Sequence, residues 1–185
     1  MIRKILLVIL ILLILISYTT AFLLSDLTIL PLWIPLSASI LITALSGIFL
    51  WKSWRSFTRI RTFAVNYACH CVVATGLLLC AFFSLNTILA NKDSLHEEKC
   101  TVTRKFVEER HHSRRVGRGR YVRGEPYNVY FFEVRFPDGK TKKFETTFTH
   151  YRRVRINDTV TLSMVKGLFG IPVVRRDRKY LAKPD

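Results

Sequence analysis

Between Ile5 and Ala90 nearly every residue is one that hydrocarbon would accept, and after Lys92 almost none is. No single water-soluble core accommodates such a division. The first half predicts membrane helices, and the second half predicts a separate polar domain.

Three apolar stretches are long enough to cross a bilayer. Residues 5–24 form an almost unbroken run of Ile, Leu and Val that continues through Tyr18, Ala21 and Phe22. About 20 residues at ~1.5 Å each cover a ~30 Å hydrocarbon core. Asp26 ends this run. A second span is expected over about 29–51, with Pro31 and Pro35 near its start, and a third over about 63–90. Proline is tolerated in a first helical turn, where its missing N–H would have no partner anyway. Met1-Ile-Arg3-Lys4 could open a cleaved signal peptide, but the apolar run is long for one and a second span follows at once. A retained helix is therefore expected.

Lys52, Arg55, Arg59 and Arg61 lie between spans two and three, and no acid accompanies them. Arg3 and Lys4 precede span one. With three spans both groups fall on one side, so the positive-inside rule predicts a cytoplasmic N-terminus and an extracytoplasmic C-terminal domain in the plasma (inner) membrane.

Lipid tails do not drive apolar helices together, so contacts are expected where small and polar side chains recur. Span two offers Ser39, Thr43 and Gly47, with Ser46 beside them. Span three offers a stripe of Asn66, Cys69, Val73, Gly76, Cys80, Phe83 and Thr87. Gly76 and Cys80 make a small-xxx-small pair, and these two faces are expected to meet or to drive homo-oligomerisation. Span one carries almost no such residues before Ser17 and is expected to face lipid there.

Cys69-His70-Cys71 suggests a metal or redox site, but on a helix the two sulfurs point ~200° apart and cannot face one ion. His70 is expected to be structural, bonded to Asn66 one turn earlier. Neither a phosphate loop, a nucleophile elbow nor a zinc spacing is present. Glu97-Glu98 and Glu108-Glu109 would point to opposite sides of a strand. No catalytic, cofactor or metal residue is therefore assigned, and a non-enzyme is expected.

The chain carries 29 Lys and Arg against 13 Asp and Glu, and the later half holds 23 and 12 of these, a net +11 of the total +16. Its apolar residues alternate. Tyr130, Phe132, Val134 and Phe136 share one face, Pro137-Asp138-Gly139-Lys140 reads as a hairpin turn, and Phe144 with Phe148 continues beyond it. Asn157-Asp158 marks another turn, followed by Val160, Leu162 and Met164. Pro172 suggests an edge strand. Five short strands in a curled sheet or small SH3/OB-like β-barrel are expected, with a short helix or a loop over residues 149–158. The layout resembles, in arrangement rather than in motif, membrane-anchored barrel proteins such as the NfeD family.

Residues 110–124, between the first two strands, hold Arg110, Arg114, Arg115, Arg118, Arg120 and Arg123 with three glycines and no acid. This segment is expected to be a mobile loop or an extended hairpin tip. Guanidinium groups bind phosphate in a bidentate way, so anionic lipid headgroups, an envelope polymer or an acidic partner protein are the expected ligands. Nucleic acid is disfavoured by the expected location outside the cytoplasm. The alternative is a solvated ribbon that guards a sheet edge. Further basic runs occur at 151–155 and in the polar tail 175–185. Cys100, the lone cysteine of this half, is expected to be buried or to form an intermolecular disulfide. The chain is expected to display a small basic β domain from a membrane anchor, and the alternatives are a small subunit of an oligomeric channel or transporter, or a membrane-bound enzyme.

Overall fold

A computed structural model describes residues 2–117 and 119–175, with side chains from Ile5 onward. The order is α1 (Ile2–Ser25), α2 (Trp33–Thr58), α3 (Phe63–Ile88), β1 (Asn91–Val116), β2 (Arg120–Arg135), β3 (Thr141–Thr146), α4 (Phe148–Arg153), β4 (Thr159–Lys166) and β5 (Pro172–Val174). The chain forms two compact units. Among the described residues, one gathers those up to Ser94 with Val165–Val173, and the other gathers Leu95–Met164 with Val174 and Arg175.

In the helical unit all three long helices are apolar and long enough to cross a membrane. Helix α3 packs against both α1 and α2. Residues 5–16 of α1 are mostly exposed, and burial starts at Ser17, Ala21 and Ser25. Ala21, Leu79 and Phe83 form a small core, with Tyr18, Leu24, Leu32 and Leu36 against it. Pro31 precedes α2, and Pro35 sits in its first turn. The α2 helix ends where Arg59 turns left-handed at φ 62° and its N–H reaches the Arg55 carbonyl.

The five strands form an antiparallel sheet of order β3-β2-β1-β4-β5. Of the curled sheet and the barrel expected here, the closed barrel is not formed. Strands β3 and β5 lie at opposite edges, so the sheet is open. Closure would need a long final strand, but β5 has three residues and begins at Pro172, which has no N–H to offer. One face buries Cys100, Val102, Phe132, Val134, Phe136, Phe144, Val160, Leu162, Met164 and Val174. Period-two alternation places them there, as β4 shows by burying every second residue.

The turn at Pro137–Lys140 is a hairpin, with Gly139 at φ 83° and Phe136 N–H on the Lys140 carbonyl at 2.8 Å. Phe148 departs from expectation. Strand β3 stops at Thr146, and Thr147 caps α4 by accepting from the His150 N–H. Phe148 therefore opens a helix and packs its ring 5.1 Å from Tyr130. Helix α4 is held to β1 by Lys105, whose ammonium donates to the carbonyls of Tyr151 and Val154.

Candidate functional site

Two groups of residues carry the chemistry, one in each unit. The first is the polar seam between α2 and α3. Ser39, Thr43 and Gly47 are buried along one face of α2. A methyl group at Gly47 would stand 2.9 Å from the Tyr67 ring and 3.1 Å from His70, so only glycine admits these side chains. The Tyr67 hydroxyl reaches across to the Ala44 carbonyl at 3.0 Å, and the Thr43 and Thr75 hydroxyls meet at 3.0 Å.

His70 is buried in this seam. Trp54 donates its indole N–H to His70 Nδ1 at 3.0 Å. That makes Nδ1 an acceptor and assigns the ring proton to Nε2, which lies 2.9 Å from Ser46 Oγ. The Ser46 hydroxyl in turn donates to the Thr43 carbonyl at 3.2 Å. Both ring nitrogens are thus satisfied by α2. Asn66, the expected partner, is fully buried and occupied elsewhere. It accepts from the Thr58 hydroxyl at 2.6 Å and donates to the carbonyls of Ile60 and Thr62 at 2.7 and 2.9 Å. It ties together the turn between α2 and α3.

Gly76 and Cys80 do not act as a pair against α2. Gly76 faces α1, where an added methyl would lie 2.6 Å from the Tyr18 ring. Tyr18 in turn donates to the Val72 carbonyl at 2.9 Å. Cys80 is half-buried and contacts Ser84 on its own helix at 3.9 Å. Cys71 points to the Thr43 carbonyl. No cluster of three His, Cys, Asp or Glu fit to hold a metal ion exists among the described residues.

The second group is the arginine segment. It is an antiparallel ribbon: β1 and β2 stay paired from Thr101↔Arg135 out to Val116↔Arg120, with irregularities at Thr103 and His112. At the His112 bulge the imidazole stacks on Tyr127 at 4.3 Å. Gly124 faces it so closely that a Cβ would stand 2.8 Å from the His112 carbonyl oxygen. Of the loop and the hairpin tip expected here, the structure has the hairpin. Gly117 and Gly119 supply positive φ at its turn, and Arg118 lies outside the described residues.

Facing partners on antiparallel strands project to one side. Ser113, Arg115, Tyr121 and Arg123 therefore share one face of the ribbon, and Arg114, Val116, Arg120 and Val122 share the other. All four arginines are exposed, and none has an ion pair among the described residues. Val116, Tyr121 and Val122 are exposed beside them. Alternation spreads the positive charge over both faces.

Arg110 is different. Its guanidinium lies 3.3 Å from Glu108, and Lys143 pairs with the other oxygen of the same carboxylate. Lys143 also stands 3.8 Å over the Phe131 ring, which stacks on Phe106 at 5.5 Å. Lys143, and then Arg110, hold the Glu108 carboxyl below its usual pKa. Arg110 thus belongs to the base that holds the ribbon. Nothing in the sequence spacing linked Lys143 to Glu108, since they lie on strands β3 and β1 and share only β2 as a neighbour.

The 151–155 run falls on α4 and its exit. Arg152 lies over the Phe148 ring. Arg153 lines an open cleft of about 510 Å³ with Thr147, Thr149, His150 and Asp158. Burial, and then the nearby Arg153, push the His150 pKa down. The basic residues from Arg176 onward lie outside the described residues. Comparison with protein-family models, curated proteins and solved structures found no match in any of the three.

Proposed function

We propose that the protein is a multi-pass protein of the plasma (inner) membrane that displays a cationic β-ribbon for binding an anionic surface, foremost phosphate-bearing lipid headgroups. The observation that carries this reading is the ribbon itself. Arg114, Arg115, Arg120 and Arg123 project from a paired, pre-shaped hairpin with no acid between residues 110 and 124. A preformed ribbon loses less conformational entropy on binding than a free loop would. Exposed Val116, Tyr121 and Val122 fit an interfacial partner better than a purely aqueous one, because their apolar parts gain from contact with acyl chains and glycerol. The orientation that accompanies this reading puts the N-terminus in the cytoplasm and the ribbon outside it.

The channel-subunit alternative is weaker. Asn66, His70 and Thr75 use their polar atoms on turns and on the neighbouring helix rather than along a shared path. An envelope polymer or an acidic protein would use the same guanidinium chemistry as a lipid and remains an arm of the test.

The test is flotation of the full chain, held in neutral-lipid nanodiscs, with vesicles of neutral lipid alone or with a third anionic lipid. Each Lys or Arg near such a surface contributes about 1 kcal/mol. Replacing Arg114, Arg115, Arg120 and Arg123 by Gln should weaken salt-sensitive binding at least tenfold, and R110Q alone should change it little. Unchanged binding of the fourfold variant overturns the lipid reading. Binding of an acidic polymer in place of vesicles assigns the same ribbon to a different anion.

A further inference from the structure

We infer that the β4–β5 turn, residues 167–171, is inserted into the hydrocarbon of the bilayer beside the C-terminal end of α3, with Asn86 as its receptor. This rests on the reading that α3 spans a membrane. The turn belongs to the helical unit, and its depth can be read from its neighbours. Phe169 stacks on Phe82 at 5.1 Å with the rings nearly parallel. Phe82 lies six residues before the end of α3, about 9 Å along the axis. Ile171 lines an apolar groove of about 400 Å³ with Ile34, Ala38, Leu78 and Phe82.

Backbone that leaves a helix or sheet can sit at such depth only if its polar groups are satisfied by protein. Here they are. The N–H of Gly167 reaches the Ile171 carbonyl and that of Gly170 the Gly167 carbonyl, at 3.0 and 2.9 Å. The Leu168 N–H reaches the Asn86 backbone carbonyl at 3.3 Å, and the Phe169 N–H reaches Asn86 Oδ1 at 3.2 Å. Asn86 Nδ2 donates to the Ile171 carbonyl, and Ile29 N–H donates to the Pro172 carbonyl at 2.9 Å. Pro172 brings no N–H of its own. One fully buried asparagine therefore binds both arms of the turn. Gly167 is what lets it approach, since a Cβ there would lie 2.3 Å from Asn86 Oδ1.

The side chains agree with this placement. Leu168 and Phe169 are each 49 % exposed, so protein leaves about half of each uncovered. Leu85, Ile88 and Leu89, at the end of α3, are exposed as well. The occupant of that surface is the acyl region of the leaflet that holds the end of α3.

The experiment introduces Leu168→Cys or Phe169→Cys into the full chain, in membrane vesicles opened so that a membrane-impermeant maleimide reaches both sides. Lys140→Cys, on an exposed turn, is the positive control. Leu168→Cys preserves the Phe82–Phe169 stack should Phe169→Cys fail to fold. Both turn variants should label at least tenfold more slowly than Lys140→Cys, and adding Gly167→Ala should raise the Leu168→Cys rate. Labelling of Leu168→Cys as fast as Lys140→Cys, in protein that resists alkaline extraction, overturns the insertion alone. Release of the protein by alkaline extraction overturns the membrane reading and the insertion with it.

Discussion

His70 shows how far a single residue can be read. Its position on an apolar helix marks it as either a site or a structural bond. Trp54 and Ser46 satisfy both of its ring nitrogens. Its partners lie 16 and 24 residues away on α2, and no local spacing exposes them. His70→Leu should cost about 1–2 kcal/mol, because it strands an indole N–H and a hydroxyl within the bundle. Unfolding of the full chain in mixed micelles measures this, and combining it with Ser46→Ala should cost less than the sum of the two. Cys100 is the other residue whose environment decides its chemistry. It is 1 % exposed, and burial, then Glu98, then Asp138, push its thiol up to about 12. The thiol should therefore resist alkylation at pH 8 in the native protein and react once the chain is denatured, as mass spectrometry can read. The sign for stability follows. The folded pKa is raised, so the contribution is complete below the ordinary value of 9 and is lost as pH rises toward 12. Cys100→Ala should flatten alkaline unfolding over that window.

At the level of elements, the ribbon is the clearest case of pattern without outcome. Arginine and glycine between two strands were compatible with a loop or a hairpin, and the choice falls to pairing geometry. Gly124 can face the His112 bulge only because it lacks a Cβ. Gly124→Ala should therefore loosen the outer ribbon while leaving the sheet core folded. Amides from Ser113 to Val116 and from Arg120 to Arg123 should exchange faster with deuterium, while those of Phe132 and Val134 should not change. Equal exchange throughout would mean that the bulge does not hold the ribbon. The helices were easier to anticipate, because an apolar run of bilayer length admits few alternatives. Their pairing was harder. Gly76 was expected against α2 or in homo-oligomerisation, but it meets Tyr18 of α1, and the glycine at the α2–α3 seam is Gly47 of α2.

For the whole molecule, the distribution of positive charge leads to a prediction about sidedness. A reporter active only in the cytoplasm should be silent when fused after Asp185 and active when fused within residues 52–61. Reversed activities would overturn the orientation and return nucleic acid to the candidate ligands of the ribbon. The sequence by itself determined the long apolar helices, the alternating strands and their turns, and the concentration of arginine between β1 and β2. These are local properties, set by hydropathy, by period and by the φ that glycine and asparagine permit. Only the tertiary structure decided that the sheet stays open, that the arginines divide between two faces, that His70 is bonded to α2, and that the β4–β5 turn belongs with the long apolar helices. Each of these depends on which distant groups meet. A contact such as Asn86 with Gly167, 81 residues apart, leaves no periodic trace along the chain.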